Sequence, residues 1–168
     1  MASALEQTYT TEDIYNPPEG ERAELIDGQI YYMAPPFRRH QKISFTLSRI
    51  IADYIDRKGG SCEVYPAPFA VFLNKNDRTY VEPDLSVICD PDKLDDRGCN
   101  GAPDWIIEIV SPSSRRMDYH IKLFKYRSAG VRLYWIVDPD HGRVMVWDFA
   151  AENTEEYTFK DSVPVGIL

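Results

Sequence analysis

The stretch Asp104-Trp105-Ile106-Ile107-Glu108-Ile109-Val110, followed by Ser111-Pro112-Ser113-Ser114, decides the fold. From Trp105 to Val110 every side chain but one is apolar. A run apolar on both faces is the pattern of a strand covered on both sides of a sheet. Strand alternation places Ile106, Glu108 and Val110 on one face. Glu108 is then a lone carboxylate among apolar neighbours, costly to ionise unless it is paired or bound to a cation. Ser111-Pro112-Ser113-Ser114 offers a turn and an N-cap. A helix is expected over about 115–129, with Gly130 as its stop, and Val131–Asp138 reads as the next strand. Such a strand–helix–strand crossover is right-handed and sets its two strands parallel.

Upstream, Glu24–Met33 reads as a β-hairpin, with Asp27-Gly28 supplying the φ > 0 positions of a type I′ turn. Pro35-Pro36 ends it. Ile43, Leu47, Ile50, Ile51, Tyr54 and Ile55 recur at helical spacing and predict an amphipathic helix over 38–58, stopped by Gly59-Gly60. Further strands are expected near Phe69–Leu73 and Tyr80–Cys89, and a polar loop from Asp90 to Pro103. Pro83 cannot donate to a ladder, so the second of these strands is irregular or an edge there. Downstream, Asp138–Gly142 is a turn, Arg143–Trp147 pairs back across it, and Glu156–Lys160 adds a strand. Residues 1–20 read as a lead-in: a helical turn starts at Thr10-Thr11-Glu12-Asp13, and Asn16-Pro17-Pro18-Glu19-Gly20 breaks it. Residues 21–168 read as one domain. The fold class is α/β (α+β), a mixed sheet flanked by helices with an N-terminal hairpin.

The bulk numbers fit this. With 168 residues, 43% hydrophobic and 27% charged, the chain has the composition of a single globular domain. No apolar run is long enough to span a bilayer, and no basic start precedes an apolar core as in a signal peptide, so a cytoplasmic protein is expected. Cys62, Cys89 and Cys99 form no CxxC pair, so free thiols are expected rather than a disulfide or zinc site. The net charge of −8 counts against binding nucleic acid by a broad basic surface. It does not count against a carboxylate site whose repulsion a cation relieves.

Asp84, behind Pro83, joins Glu108 as a candidate. If their strands are hairpin neighbours, the two carboxylates lie on one face a few Å apart and repel, and a divalent cation is the usual resolution. Mg²⁺ needs one or two carboxylates plus waters and substrate phosphate. Lys122, on the following helix, is a candidate for orienting the attacking water or stabilising the pentavalent phosphorus; a surface ion pair with Asp118 is the plain alternative. Tyr126, one turn further on, either meets substrate or packs at the core edge. Arg38, Arg39, Lys42, Arg115 and Arg116 are candidates for phosphate-backbone contacts or ordinary surface charges.

The segments Val81–Val87, Ala102–Ser114, Asp118–Lys122, Tyr126, Gly130-Val131 and Tyr134–Pro139, with Glu24–Gly28, Pro35-Pro36 and His40, together resemble the Uma2 family of the PD-(D/E)XK nuclease superfamily. The resemblance covers roughly residues 22–148. It implies a restriction-endonuclease-like core of helix, three strands, helix and strand, and a Mg²⁺- or Mn²⁺-dependent endonuclease acting on nucleic acid, chiefly DNA. By resemblance, Asp84 and Glu108 are metal ligands and catalytic residues. The superfamily places a lysine two residues after the acid, where this chain has Val110; Lys122 is the residue similar to a lysine supplied from the next helix. Glu24 is similar to a family glutamate that completes the site, and His40 is a candidate for phosphate or water. Nucleases of this superfamily often pair, which implies a possible homodimer. Two other readings stay open: a phosphoesterase acting on a smaller anion, favoured by the net charge, and an inactive nuclease-fold binding or scaffold protein, favoured by Val110.

Overall fold

The computed structural model describes residues 7–15 and 21–168; the expected break at 16–20 lies outside them. Helix α1 (Thr11–Tyr15) is tied at its start by Asp13, whose Oδ2 accepts from the Thr10 N–H at 2.8 Å. The hairpin follows as β1 (Ala23–Ile26) and β2 (Gln29–Tyr32). Its turn has φ of 51° at Asp27 and 78° at Gly28, the signs a type I′ turn requires. Helix α2 runs Arg38–Lys58 and ends at Gly59 in the left-handed region, φ 65°, as the apolar periodicity and the Gly pair imply. Then come β3 (Glu63–Pro66), β4 (Val71–Phe72), β5 (Tyr80–Val81), β6 (Leu85–Ile88), β7 (Leu94–Asp95), β8 (Gly98–Asn100) and β9 (Trp105–Ile109). A π-helical turn, Met117–Lys122, continues into α3 (Leu123–Ala129). The chain finishes with β10 (Leu133–Asp138), β11 (Arg143–Asp148) and β12 (Asn153–Thr158).

The strands form two sheets, in the orders β2-β1-β5-β4-β8-β7 and β12-β11-β10-β9-β6-β3. In the second, β9 and β10 pair parallel, with Glu108 beside Ile136, as the crossover requires. One face of this sheet packs on α2 through Ile51, Ile55, Trp105, Ile107 and Trp135. The other face packs on α3 and the first sheet through Ile106, Val110, Tyr126 and Tyr134. Glu108 therefore emerges on the α3 side, where alternation places it.

Four expectations need correction. The first core strand is β3, paired antiparallel to β6, whereas Phe69–Leu73 supplies β4 of the other sheet. β3 is an edge strand, exposed at both ends, so its residues carry no apolar run to read. The expected strand Tyr80–Cys89 is two strands in different sheets, broken at Glu82-Pro83-Asp84. The expected polar loop Asp90–Pro103 holds β7 and β8, with β8 parallel to β4. Cys62 and Cys89, expected as free thiols, form a disulfide. The Glu63–Ile88 pairing of β3 with β6 sets the two cysteines opposite one another, a proximity hidden by their separation of 27 residues in sequence. Only Cys99 is free, and it is buried.

Candidate active site

The break at Glu82-Pro83-Asp84 carries the chain from the first sheet to the second, and the site forms at that junction. The β6–β9 register, Leu85 opposite Ile107 and Ser86 opposite Ile106, brings Asp84 level with Glu108 on one face. Backbone bonds lock the pair. The Ile109 N–H donates to Asp84 Oδ2 at 2.7 Å, and the Asp84 N–H lies 3.4 Å from Glu108 Oε2. Both carboxylates line a cleft of about 430 Å³.

From the opposite side, the turn after β9 delivers Asp118, Lys122 and Tyr126 as one inward column at spacing four. Asp118 and Lys122 fall in the π-helical turn, whose i→i+5 bonding widens the helix; such turns recur at functional sites. Lys122 is only 5% exposed. Its Nζ lies 2.9 Å from Glu108 Oε1, 2.9 Å from Glu24 Oε2 and 4.0 Å from Asp118 Oδ1. The surface pair with Asp118 that the spacing allows is thus a buried cluster. Glu24, on β1, also accepts from the Glu82 N–H at 2.9 Å, which ties the hairpin to the strand break. The Tyr126 hydroxyl donates to Glu108 Oε1 at 2.7 Å. Tyr126 is fully buried, so it meets Glu108 from within the core. His40, at the start of α2, has Nε2 3.1 Å from Asp84 Oδ2.

Sequence reasoning does not give Asp118 a role of its own, although its spacing to Lys122 and Tyr126 is the available signal. It also misses Ser114 and Tyr134 as supports: the Ser114 hydroxyl donates to Asp118 Oδ2 at 2.7 Å, and the Tyr134 hydroxyl to the Asp118 carbonyl at 2.9 Å. The basic candidates divide. Arg115 donates to Asp138 at 2.6 Å and 3.2 Å, and Arg39 pairs with Asp140. Among the described residues, Arg38, Lys42 and Arg116 take part in none of the ion pairs.

The electrostatics follow from a charge imbalance. Four carboxylates (Asp84, Glu108, Glu24 and Asp118) surround one ammonium. Burial pushes Glu108 well above the usual carboxylate range; Lys122 opposes this, while Asp84, Asp118 and Glu24 reinforce it. Burial likewise lifts Asp118 to about 6, against the pull of Lys122 and Ser114. For Lys122, burial disfavours the charge, but Glu108, Glu24 and Asp118 outweigh it and raise its pKa. The lysine keeps its proton, and the acids compete for the remaining positive charge. Burial lowers the His40 pKa, but the adjacent Asp84 outweighs it and the net direction is up.

No set of three or more metal-ligating side chains occurs among the described residues. The donor set nevertheless suits a hard divalent cation that needs only one or two carboxylates. Glu108 Oε1 is taken by Lys122 and Tyr126, whereas Oε2 has only the long contact with Asp84. Asp84 Oδ2 is held by Ile109, and Asp84 Oδ1 has no hydrogen-bond donor among the described residues. One oxygen of each carboxylate is open, in a cluster with surplus negative charge.

This arrangement is that of a nuclease-like α/β domain with a restriction-endonuclease-like core. The chain belongs to the Uma2 family: the family model described as "Uma2: Putative restriction endonuclease" matches residues 7–165. In fold it is similar to a crystal structure described as a putative nuclease belonging to DUF820 from Anabaena variabilis ATCC 29413. The TM-score is 0.76 at 23% identity, over 94% of this chain and 89% of that one. It is also similar to two uncharacterized proteins of Synechocystis sp. (strain PCC 6803). One is 34% identical over 58% of this chain and 50% of the relative; the other is 28% identical over 64% and 60%. The chain thus matches little more than half the length of these relatives. No helix among the described residues is long and apolar enough to cross a membrane.

Proposed function

We propose that the chain is a metal-dependent nuclease that hydrolyses phosphodiester bonds of DNA in the cleft floored by Asp84 and Glu108. The observation that carries the reading is the pairing of these carboxylates across β6 and β9 beside the buried ammonium of Lys122. Membership of a family described as a putative restriction endonuclease supports nuclease activity on DNA. The likeness to the Anabaena variabilis structure supports the fold on which such a site is built. Mg²⁺ or Mn²⁺ would be held by Asp84 and Glu108 through their open oxygens, and when bound would neutralise phosphate charge and acidify a water.

The chain's own groups divide the remaining work. Lys122 keeps its proton, so it serves as a fixed positive charge toward the phosphorus oxygens in the transition state and not as a base. Glu24 holds that ammonium in place. Lys122 and Tyr126 together occupy Oε1 of Glu108 and so turn Oε2 toward the cleft. The Ile109 N–H and His40 fix the orientation of Asp84. Arg38, next to the cleft-lining Phe37, would contact a backbone phosphate. Supercoiled plasmid and circular single-stranded DNA, each incubated with Mg²⁺ or Mn²⁺, test the reading. Wild type cuts at least one of them and Glu108→Gln cuts neither; equal background cutting of both substrates by both proteins refutes the assignment.

A further inference from the structure

The cleft has an unusual rim. Between β2 and α2 the chain runs Tyr32-Met33-Ala34-Pro35-Pro36-Phe37, and its two end aromatics are each 70% exposed. Both line the cleft that holds Asp84 and Glu108. The strap between them is short and carries two prolines, which fix φ. It is anchored at one end by the Met33 N–H donating to the Arg22 carbonyl at 2.9 Å, and at the other by the Gln41 N–H donating to the Phe37 carbonyl at 3.1 Å. The rings are therefore held in water on a stiff frame, at the entrance to a site whose floor is charged.

The basic groups near this entrance are few: Arg38 and Lys42, in the first turns of α2, take part in none of the ion pairs among the described residues, and the others are engaged. Arg22 pairs with Glu82 at 2.5 Å, Arg39 with Asp140, and Arg115 with Asp138 at 2.6 Å. The chain as a whole carries a charge of −8. Duplex binding rests chiefly on many Lys and Arg contacts to phosphate, and this face offers little of that. Single-stranded nucleic acid also gains affinity from bases stacking on aromatic rings, which needs no basic surface but does need bases free of their own stack.

Resting on the nuclease reading above, we infer that the substrate is DNA with unstacked bases, single-stranded or a single-stranded flap, and that Tyr32 and Phe37 grip it by base stacking beside the scissile phosphate. The two rings select for strand state and leave the chemistry to the floor of the cleft.

The test measures binding of a fluorescent mixed-sequence oligonucleotide, as single strand and as blunt duplex, to the full chain in EDTA, so that cleavage plays no part. Single-stranded DNA is expected to bind at least about tenfold tighter than duplex, since the duplex keeps its bases stacked away from the rings. Tyr32→Ala and Phe37→Ala are each expected to weaken single-strand binding about 5- to 150-fold, the worth of one base stack, and to leave duplex binding unchanged. Phe37→Trp keeps the affinity, while Phe37→Leu, apolar but without a ring face, loses it. Equal affinity for the two forms, an equal loss on both, or full retention by Phe37→Leu overturns the inference. So does sedimentation showing that the alanine variants dissociate a dimer, since the rings would then belong to an interface between copies. DNA cutting that depends on Glu108 is read separately, so the rim can fail while the nuclease reading stands.

Discussion

Lys122→Met removes the ammonium and keeps the aliphatic stem, so the perturbation is almost purely one of charge. In the native site Nζ lies 2.9 Å from each of Glu24 and Glu108. At an effective dielectric of about 20, each contact has a gross attraction of about 6 kcal/mol. Desolvation of the buried ions cancels much of this, at several kcal/mol per ion. What the variant cannot recover is the pairing of the acids left behind, and removing one member of a buried pair costs about 3–5 kcal/mol. Against a total stability of about 5–15 kcal/mol for a domain, that is a large fraction. The deficit must also depend on pH. Without the ammonium, the folded-state pKa of Glu108 rises further above its ordinary value of 4.5. Between that value and the raised one the folded state binds more protons than the unfolded chain, so stability falls as pH rises. Urea unfolding at several pH values is the assay. The deficit is expected to be largest near neutral pH and to shrink toward about pH 4.5, the ordinary value of the freed carboxyl. Adding Glu108→Gln should restore at least about 1 kcal/mol, because the two changes share one contact. A deficit under about 1 kcal/mol, or one that is flat with pH, refutes the buried-cation account.

Three further outcomes follow from the same geometry. Glu108→Gln lowers DNA cutting by about 10²–10³-fold while retaining a native circular dichroism spectrum; comparable residual rates would remove Glu108 from the chemistry. Burial disfavours the charge on Asp138, but Arg115 and His141 outweigh it and hold its pKa down at about 2. Its contribution is present above the ordinary value of 3.8 and is lost as pH falls from there toward 2. Acid titration of stability should thus show a loss of about 2 kcal/mol in wild type that is missing in Asp138→Asn. Reducing Cys62–Cys89 opens a loop of 27 residues' separation and should cost about 3–4 kcal/mol by chain entropy. Matched urea unfolding with and without reductant measures it, and identical midpoints would show that the link contributes nothing.

The parts legible in the sequence are those with a period or a breaker. The 38–58 helix, the Asp27-Gly28 turn and the parallel β9–β10 pair each carry a local signal that no tertiary contact overrides. The parts that are not legible depend on what lies across a sheet. β3 has no apolar run because it is an edge, and Tyr80–Cys89 looks like one strand because its apolar residues face two different cores. The Cys62–Cys89 link exists only once β3 and β6 are in register. Asp84 and Glu108 can be paired in advance because Pro83 marks the irregular strand and Glu108 is the one charge in an apolar run. The burial of Glu24 and Asp118 cannot be read, since each looks like an ordinary surface acid in its own segment.

Lys122 shows why position along the chain is a poor guide to position in the site. A lysine at 110 would sit on the Glu108 face, two residues along from it. In this fold Val110 is buried there in the core that Ile106 and Tyr126 share, so that place is filled by packing. The ammonium comes instead from the crossover helix, and it arrives 2.9 Å from Glu108 because the widened turn at Met117–Lys122 aims it inward. Reaching the site from the helix brings a second partner within range: the same Nζ touches Glu24 on the hairpin. The relocated lysine therefore bridges the two sheets as well as facing the cleft. Its role in stability and its proposed role in chemistry are separable. Lys122→Arg keeps a positive charge between Glu24 and Glu108 but moves it on a longer, planar head group. It should retain most of the stability that Lys122→Met loses, yet cut DNA far more slowly. An Arg variant that is both stable and fully active would mean the cleft needs only a nearby charge, and the placement of Nζ would then have no part in catalysis.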